Sequence, residues 1–498
     1  MISIKQRLQE MIRKIVFPII MLALLVTACS PSTQPTMMLL PQAEVNKTAE
    51  RADITPYPTR PAYEPGELVD YVAQTGDTLP TLAVRFNTTV EEIRMANTFI
   101  PEDATTMPSG MPMQIPIYYR PLWGNPYQIL PDAVFVNGPD AAQFNTVLFI
   151  NEQEGWLKNY SAWSFNDNHS AAEIINYVAV QYSINPKVLI ALLEYQGEGC
   201  SNPFLDEASE VNILGLESDY WTGVYLQLSY ASNILNDAYY RWREGQLIEF
   251  ELKDGSLVRP DPWQNAATVS LQYFFSLILD PTDYQQAIGP DGFAGVFNEL
   301  FGDPWTVEPH IPGSLTQPPM QLPYYNDITW AYTGGPHTAW GSLAPFAALD
   351  FAPPSDVTGC YPSSEPTTAV ADGLVVRVGD GILVLDLDKD GDERTGWVVF
   401  YLHIAKEGRV SLGSEVSVGD FLGYPSCEGG HSTGTHIHIA RKYNGEWITA
   451  DGVIPFVLSG WTPIRGEEAY KGWLVKDDLM IIANTNPDNR SMIPPDVE

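Results

Sequence analysis

The sequence predicts a multidomain α+β chain, and three observations carry that prediction. A strand, two helices and a strand succeed one another between Val69 and Ile117. Helical periodicity dominates from about Leu122 to Pro312, and short strand signals separated by glycine or charged turns fill the stretch after Thr367. With 498 residues, 45% of them apolar, the chain is long enough for several packed cores, so disorder throughout is excluded. Its 27 basic against 61 acidic residues give a formal charge of −34, which argues against nucleic acid as a partner and suits a soluble extracellular surface.

The N-terminal segment has the layout of an export signal. Basic residues (Lys5, Arg7, Arg13, Lys14) precede the apolar stretch Ile15 to Val26, which ends in Thr27-Ala28-Cys29. The apolar run is short for a membrane-spanning helix. Small residues before a cysteine resemble a bacterial lipoprotein signal, which implies cleavage after residue 28, lipidation of Cys29 and a membrane partner through that anchor. An ordinary secretion signal is the alternative. From 29 to 67 the chain is rich in Pro, Thr, Ala and Glu and reads as a disordered tether.

The module at 68–118 opens with the strand-like VDYVAQ. A helix opened by Asp77-Thr78 follows, then a second opened by Thr89 with Glu92 in a capping box, and MQIPI closes as a strand. The string YVAQTGDTLPTLAVRFNTTVEEIRMAN with MPSGMPMQIPI resembles a LysM domain. The resemblance implies a groove for N-acetylglucosamine units of peptidoglycan, formed by Gly76, Asp77, Thr78 and Leu79 on one loop and by Asn97 to Ile100 on the other.

The segment 119–312 reads as helical. Ser170 and Glu173 make another capping box, and Asn185-Pro186 starts the helix carrying VLIALLEYQ. The run YSINPKVLIALLEYQGEG resembles the start of the lysozyme-like fold of lytic transglycosylases, but the catalytic glutamate position holds Gln196. An amide has no proton to give near neutral pH, so the expectation is a degenerate lysozyme-like domain, with Glu194 and Glu198 as the neighbouring carboxylates. An unrelated helical bundle is the alternative.

Chemistry concentrates near the C-terminus, at 313–462. Five of the seven histidines (His337, His403, His431, His436, His438) fall there. The strand signals predict an antiparallel sheet, and in GTHIHIARKY the imidazoles of His436 and His438 alternate with Ile437 and Ile439, so both point to one face. Such a face suits zinc, which takes imidazole and carboxylate ligands in a tetrahedral shell with one position open in hydrolytic sites. The run DLDKDGDE from Asp386 has calcium-loop spacing but Trp397 at the closing position, so it reads as a solvated hairpin turn. Residues 463–498 read as a C-terminal tail.

The strings GGHSTGTHIHIA, FYLHIA and ALDFAPP together resemble the lysostaphin and beta-lytic metallopeptidase family. The resemblance implies one Zn2+ per chain held by Asp350 and His438, with His403 and His436 lining the water and the scissile carbonyl. Most members place the first histidine ligand four residues before the aspartate, where this chain has Phe346. The beta-lytic branch places it farther upstream in a Gly-Gly-x-His context, and GGPH supplies His337, thirteen residues before Asp350. The implied function is hydrolysis of peptide bonds in peptidoglycan stem peptides or cross-bridges at the extracytoplasmic cell envelope. A catalytically inactive wall-binding adaptor is the alternative. Cys360 and Cys427 are expected to pair beside the cleft, and Cys200 to stay a buried thiol.

Overall fold

The computed structural model describes residues 60–495 apart from Leu122. The signal segment, Cys29 and most of the tether lie outside the described residues.

The first module folds as predicted. Strands β1 (Glu67–Val72) and β2 (Pro112–Ile117) pair antiparallel, and helices α1 (Leu79–Arg85) and α2 (Val90–Ala96) lie between them in sequence. Thr78 caps α1 by accepting from the Thr81 N–H, and Thr89 and Glu92 form the reciprocal capping box of α2. Each cap satisfies an otherwise orphaned backbone donor and contributes about 1 kcal/mol. Tyr71, Leu82, Phe86, Ile93 and Ile115 fill the module's own core.

The principal helices of the middle segment are α3 (Ala171–Tyr182), α4 (Pro186–Gly197), α5 (Gly223–Arg243), α6 (Ala266–Ile278) and α7 (Phe293–Phe301). Helix α4 carries the buried run Val188 to Leu193 and is apolar nearly all round, so it sits in the middle of the bundle. Glu194 is spent on structure, since its Oε2 accepts the N–H groups of Cys200 (2.6 Å) and Ser201 (3.2 Å). Glu198 ends the helix in the left-handed conformation, and its side chain accepts from Asn202.

The C-terminal part is a nine-stranded antiparallel sheet. Its strands are β3 (Trp330–His337), β4 (Ala348–Ala352), β5 (Gly373–Gly379), β6 (Ile382–Asp386), β7 (Trp397–Leu402), β8 (Glu415–Val416), β9 (Ile437–Tyr443), β10 (Glu446–Trp447) and, after the three-stranded sheet of β11 (Thr462–Arg465), β12 (Gly472–Lys476) and β13 (Leu479–Ile482), the last strand β14 (Met492–Ile493). The spatial order is β8-β5-β6-β7-β9-β4-β3-β14, with β10 paired on β9. The expectation of a C-terminal tail is corrected here. Residues past 462 build their own sheet and return a strand to the edge of β3, and Leu474, Ile481, Ala483 and Ile493 join the sheet's core. Alternating apolar residues in GWLVK and LMII are enough for strands, but no turn signal set them apart from a loop.

Both faces of the sheet are covered. Leu383, Leu385, Val399, Tyr401, Ile437 and Ile439 point into one core. Their alternating neighbours Ile382, Val384, Val398, Phe400, Leu402 and Ala440 share a second core with the helical segment. Burying such a side chain is worth about 1.5–3 kcal/mol, so the helices and the sheet stabilise one another directly. The DLDKDGDE run is the β6–β7 connection, as expected, with the buried Asp386 carboxylate accepting from the Asp388 and Gly391 N–H groups.

Candidate metal centre

Strand register assembles the site. On β9, His438 lies opposite Asp350 of β4 on one side and Leu402 of β7 on the other. On β3, Gly334 lies opposite Asp350 and His337 opposite Ala348. The twelve residues between His337 and Asp350 thus form an antiparallel connection that returns the upstream histidine to the aspartate. Phe346, where most members of the resembled family carry a histidine, instead packs under the guanidinium of Arg465.

Three donor atoms converge. Asp350 Oδ1 is 3.2 Å from His337 Nε2 and 3.2 Å from His438 Nδ1, and the two imidazole nitrogens are 3.0 Å apart. All three residues are buried. The remaining ring nitrogens fix the tautomers: His337 Nδ1 lies 2.8 Å from Gly335 O and His438 Nε2 lies 3.0 Å from Ala339 O. Each must donate there, because a carbonyl only accepts. The atoms that face each other are therefore two imidazole lone pairs and a carboxylate. Asp350 Oδ1, for all its closeness to both rings, has no aligned hydrogen bond. Three buried acceptors with no proton among them repel unless a cation sits between them, so this donor set fits a metal ion such as zinc.

The other two expected histidines stand beside this set. His436 Nε2 is 3.8 Å from Asp350 Oδ1, and the rings of His403 and His436 are 4.5 Å apart. His403 Nδ1 donates to Glu428 O and His436 Nδ1 to Gly434 O, which leaves both Nε2 atoms with lone pairs. Burial, followed by the neighbouring His436 and His438, lowers His403 to about 4, so it is neutral at pH 7. Its backbone is held at φ 66° by Ser426, whose N–H and hydroxyl both donate to His403 O. His431 is exposed, whereas His310 lies against Glu446 at 2.6 Å and His169 beside Glu173.

Two family models match the chain: "LysM domain" over residues 71–116 and "LasA, N-terminal domain" over residues 128–315. Protease LasA of Pseudomonas aeruginosa (strain UCBPP-PA14) is 27% identical over 342 residues, 65% of this chain and 75% of that protein. The chain is a LysM-bearing relative of Protease LasA. Among solved structures it is similar to the metalloprotease pseudoalterin from the deep sea (23% identity, 34% of this chain and 96% of that one, TM-score 0.29). It is also similar to the catalytic domain of lysostaphin from Staphylococcus simulans (23% identity, 25% and 90%, TM-score 0.18). For this relative, the middle segment read from sequence as degenerate lysozyme-like coincides with the LasA N-terminal match.

Sequence reasoning missed two residues of this LysM-bearing relative's centre. Tyr470, in the turn between β11 and β12, stacks on His337 with ring centroids 4.1 Å apart. Burial and then the Asp350 charge push its phenol upward, so it keeps its proton. Gly334 faces Asp350 so closely that a Cβ would lie 2.5 Å from Oδ2. The first Gly of the Gly-Gly-x-His string was a signal for such an approach; Tyr470 had none. The disulfide Cys360–Cys427 is present and Cys200 is free and buried, as expected.

The six residues of the LysM resemblance are less uniform. Asp77 is buried in an ion pair with Arg85 (2.9 Å) and accepts from the Tyr71 hydroxyl. Asn97 bridges Ile93 and Gln114, and Leu79 and Ile100 belong to the module's core. Gly76 and Thr78 line a cavity.

Proposed function

We propose that this chain is a zinc-dependent endopeptidase that hydrolyses peptide bonds in peptidoglycan stem peptides or cross-bridges, brought to the glycan by its LysM module. The observation that carries the reading is the convergence of His337 Nε2, His438 Nδ1 and Asp350 Oδ1 as three lone-pair donors without a proton among them. The ion such a set holds supplies, when bound, polarisation of a carbonyl and acidification of water. The chain's own residues do the rest. His403 and His436, each anchored through Nδ1, offer Nε2 to take a proton from the attacking water and to return it to the leaving amine. The protonated phenol of Tyr470 beside His337 is a donor for the developing oxyanion.

The lipoprotein-type signal supports export and anchoring at Cys29, outside the described residues, with the enzyme working on the wall above the membrane. Among the described residues no helix is long and apolar enough to cross a membrane. The test is mass spectrometry of fragments released from purified sacculi, with and without chelator, alongside elemental analysis of the purified protein. One zinc per chain and chelator-sensitive release of cleaved stem or bridge peptides are expected. Absence of stoichiometric zinc, or cleavage that survives His438→Ala, overturns the reading.

A further inference from the structure

The metal centre lies on the face of the sheet that the helices cover. His438 shares its side of β9 with Ala440 and lies opposite Leu402, and both of those residues belong to the core common to the sheet and the helical segment. The loop 338–345, between β3 and β4, runs from that centre to α5. Its buried residue Ala339 spends both backbone groups: the N–H donates to Pro345 O (3.0 Å) and closes the base of the loop, while the carbonyl accepts from His438 Nε2 (3.0 Å). Trp340, next in the chain, stands edge-on to Phe400, whose ring stands edge-on to His438.

Beyond that base the loop is exposed at Gly341, Ser342 and Leu343. What holds it is α5. Asn233 and Asp237 are four residues apart and so project from one side of the helix. They accept two N–H groups of the loop, Ser342 to Asn233 Oδ1 (2.9 Å) and Ala344 to Asp237 Oδ1 (3.4 Å). The buried Asn233 amide is locked in the orientation this requires, because its Nδ2 donates to Ser229 O of its own helix (3.1 Å) and to the Tyr182 hydroxyl (3.3 Å). A turned amide would set oxygen against the Ser229 carbonyl and its own N–H groups against that of Ser342. Gly341 seats the loop on this amide: its φ is 92°, and a Cβ there would collide with Asn233 Oδ1.

We infer that Asn233 is a positioning residue of the metal centre, acting through the 338–345 loop. It keeps Ala339 O where that carbonyl takes the Nε2 proton of His438, which leaves the Nδ1 lone pair aimed at the ligand set. A ligand on the sheet thus has its tautomer and ring orientation set from a helix of the middle segment. The inference deepens the proposed function and rests on its metal-centre part alone, independent of glycan targeting and of the peptide cleaved.

The test is a chelator-competition titration of the full-length protein with zinc, alongside the visible absorption of the Co2+-substituted protein, which reports the geometry of the ligand shell. Asn233→Ala, a substitution that suits a helix interior, is expected to weaken zinc affinity about 10–100-fold, the usual loss when a group that orients a metal ligand is removed, and to shift the Co2+ bands. Gly341→Ala pushes the loop off Asn233 from the other side and is expected to act in the same direction. The double variant is expected to be no weaker than the worse single one, since both changes break one contact. Asn236→Ala controls for helix packing: this buried amide of α5 donates instead to Tyr182 O (2.8 Å), so its loss is expected to lower Tm and leave zinc affinity and the Co2+ spectrum as in wild type. Wild-type affinity and spectrum in Asn233→Ala, or an equal loss in Asn236→Ala, overturns the positioning role and leaves the metal centre standing. A wild type that takes up neither metal defeats the metal-centre reading and the positioning role together.

Discussion

At the scale of single residues, the site depends on which nitrogen of each imidazole is committed elsewhere. His337 and His438 use opposite ring atoms toward the centre, Nε2 and Nδ1, because Gly335 O and Ala339 O claim the others. Asp350→Asn replaces a carboxylate with a neutral amide in the set, and zinc content measured by elemental analysis is expected to fall to near background. His403→Ala is expected to retain zinc while kcat drops about 10²–10⁴-fold, the usual worth of a positioned acid–base group. Loss of zinc in His403→Ala places that residue among the ligands instead. Tyr470→Phe keeps the ring on His337 and removes only the hydroxyl. Its kcat is expected to fall about 10²–10³-fold with KM and zinc little changed, as for loss of one oxyanion donor.

At the scale of elements, the HIHI alternation of β9 was legible in the sequence because the side-chain period of a strand is two, and any register keeps His436 and His438 on one face. The capping boxes at Thr89 and Ser170 were legible for a comparable reason, since they need only residues three apart. What pairs with β9 was not legible. Register between β3, β4 and β9 is decided by packing between strands up to about a hundred residues apart, and it alone puts Gly334 opposite Asp350 and His337 opposite Ala348. The turn that delivers Tyr470 lay in a segment read as a tail, without histidine, cysteine or motif to mark it. The β3–β4 register also makes a prediction: Gly334→Ala drives a methyl into the Asp350 carboxylate, and zinc affinity in a competition titration is expected to weaken about 10–100-fold, comparable to loss of an outer-shell partner. An unchanged affinity shows that the strands part to admit the methyl.

At the scale of the whole molecule, the helices and the sheet are joined by buried ion pairs as well as by a shared apolar core. Burial raises Glu446, but Arg243 and His310 override it and bring the carboxyl to about 2. Burial likewise raises Glu393, while Lys442 and Arg377 hold it at about 2. A carboxyl depressed in the fold contributes stability that is complete above its unfolded value of about 4.3 and is lost as pH falls through its folded value. Unfolding monitored by calorimetry is therefore expected to show Tm nearly level at neutral pH and falling steeply between about pH 4.5 and 2. Glu393→Gln, which strands Lys442 and Arg377 without a counter-charge, is expected to cost about 3–5 kcal/mol and to flatten that fall.

The disulfide between Cys360 and Cys427 closes a loop spanning 67 residues, and its ends lie on the connections that flank His436. In the chain-entropy picture such a closure is worth about 4 kcal/mol. One end of the bond adjoins Glu428, whose carbonyl orients His403. The other adjoins Gly359, whose carbonyl accepts from Thr435 next to His436. In a reducing cytoplasm the bond does not persist. Under reducing conditions, therefore, the backbone carbonyls of Gly359 and Glu428 lose the covalent tie that holds them beside Thr435 and His403.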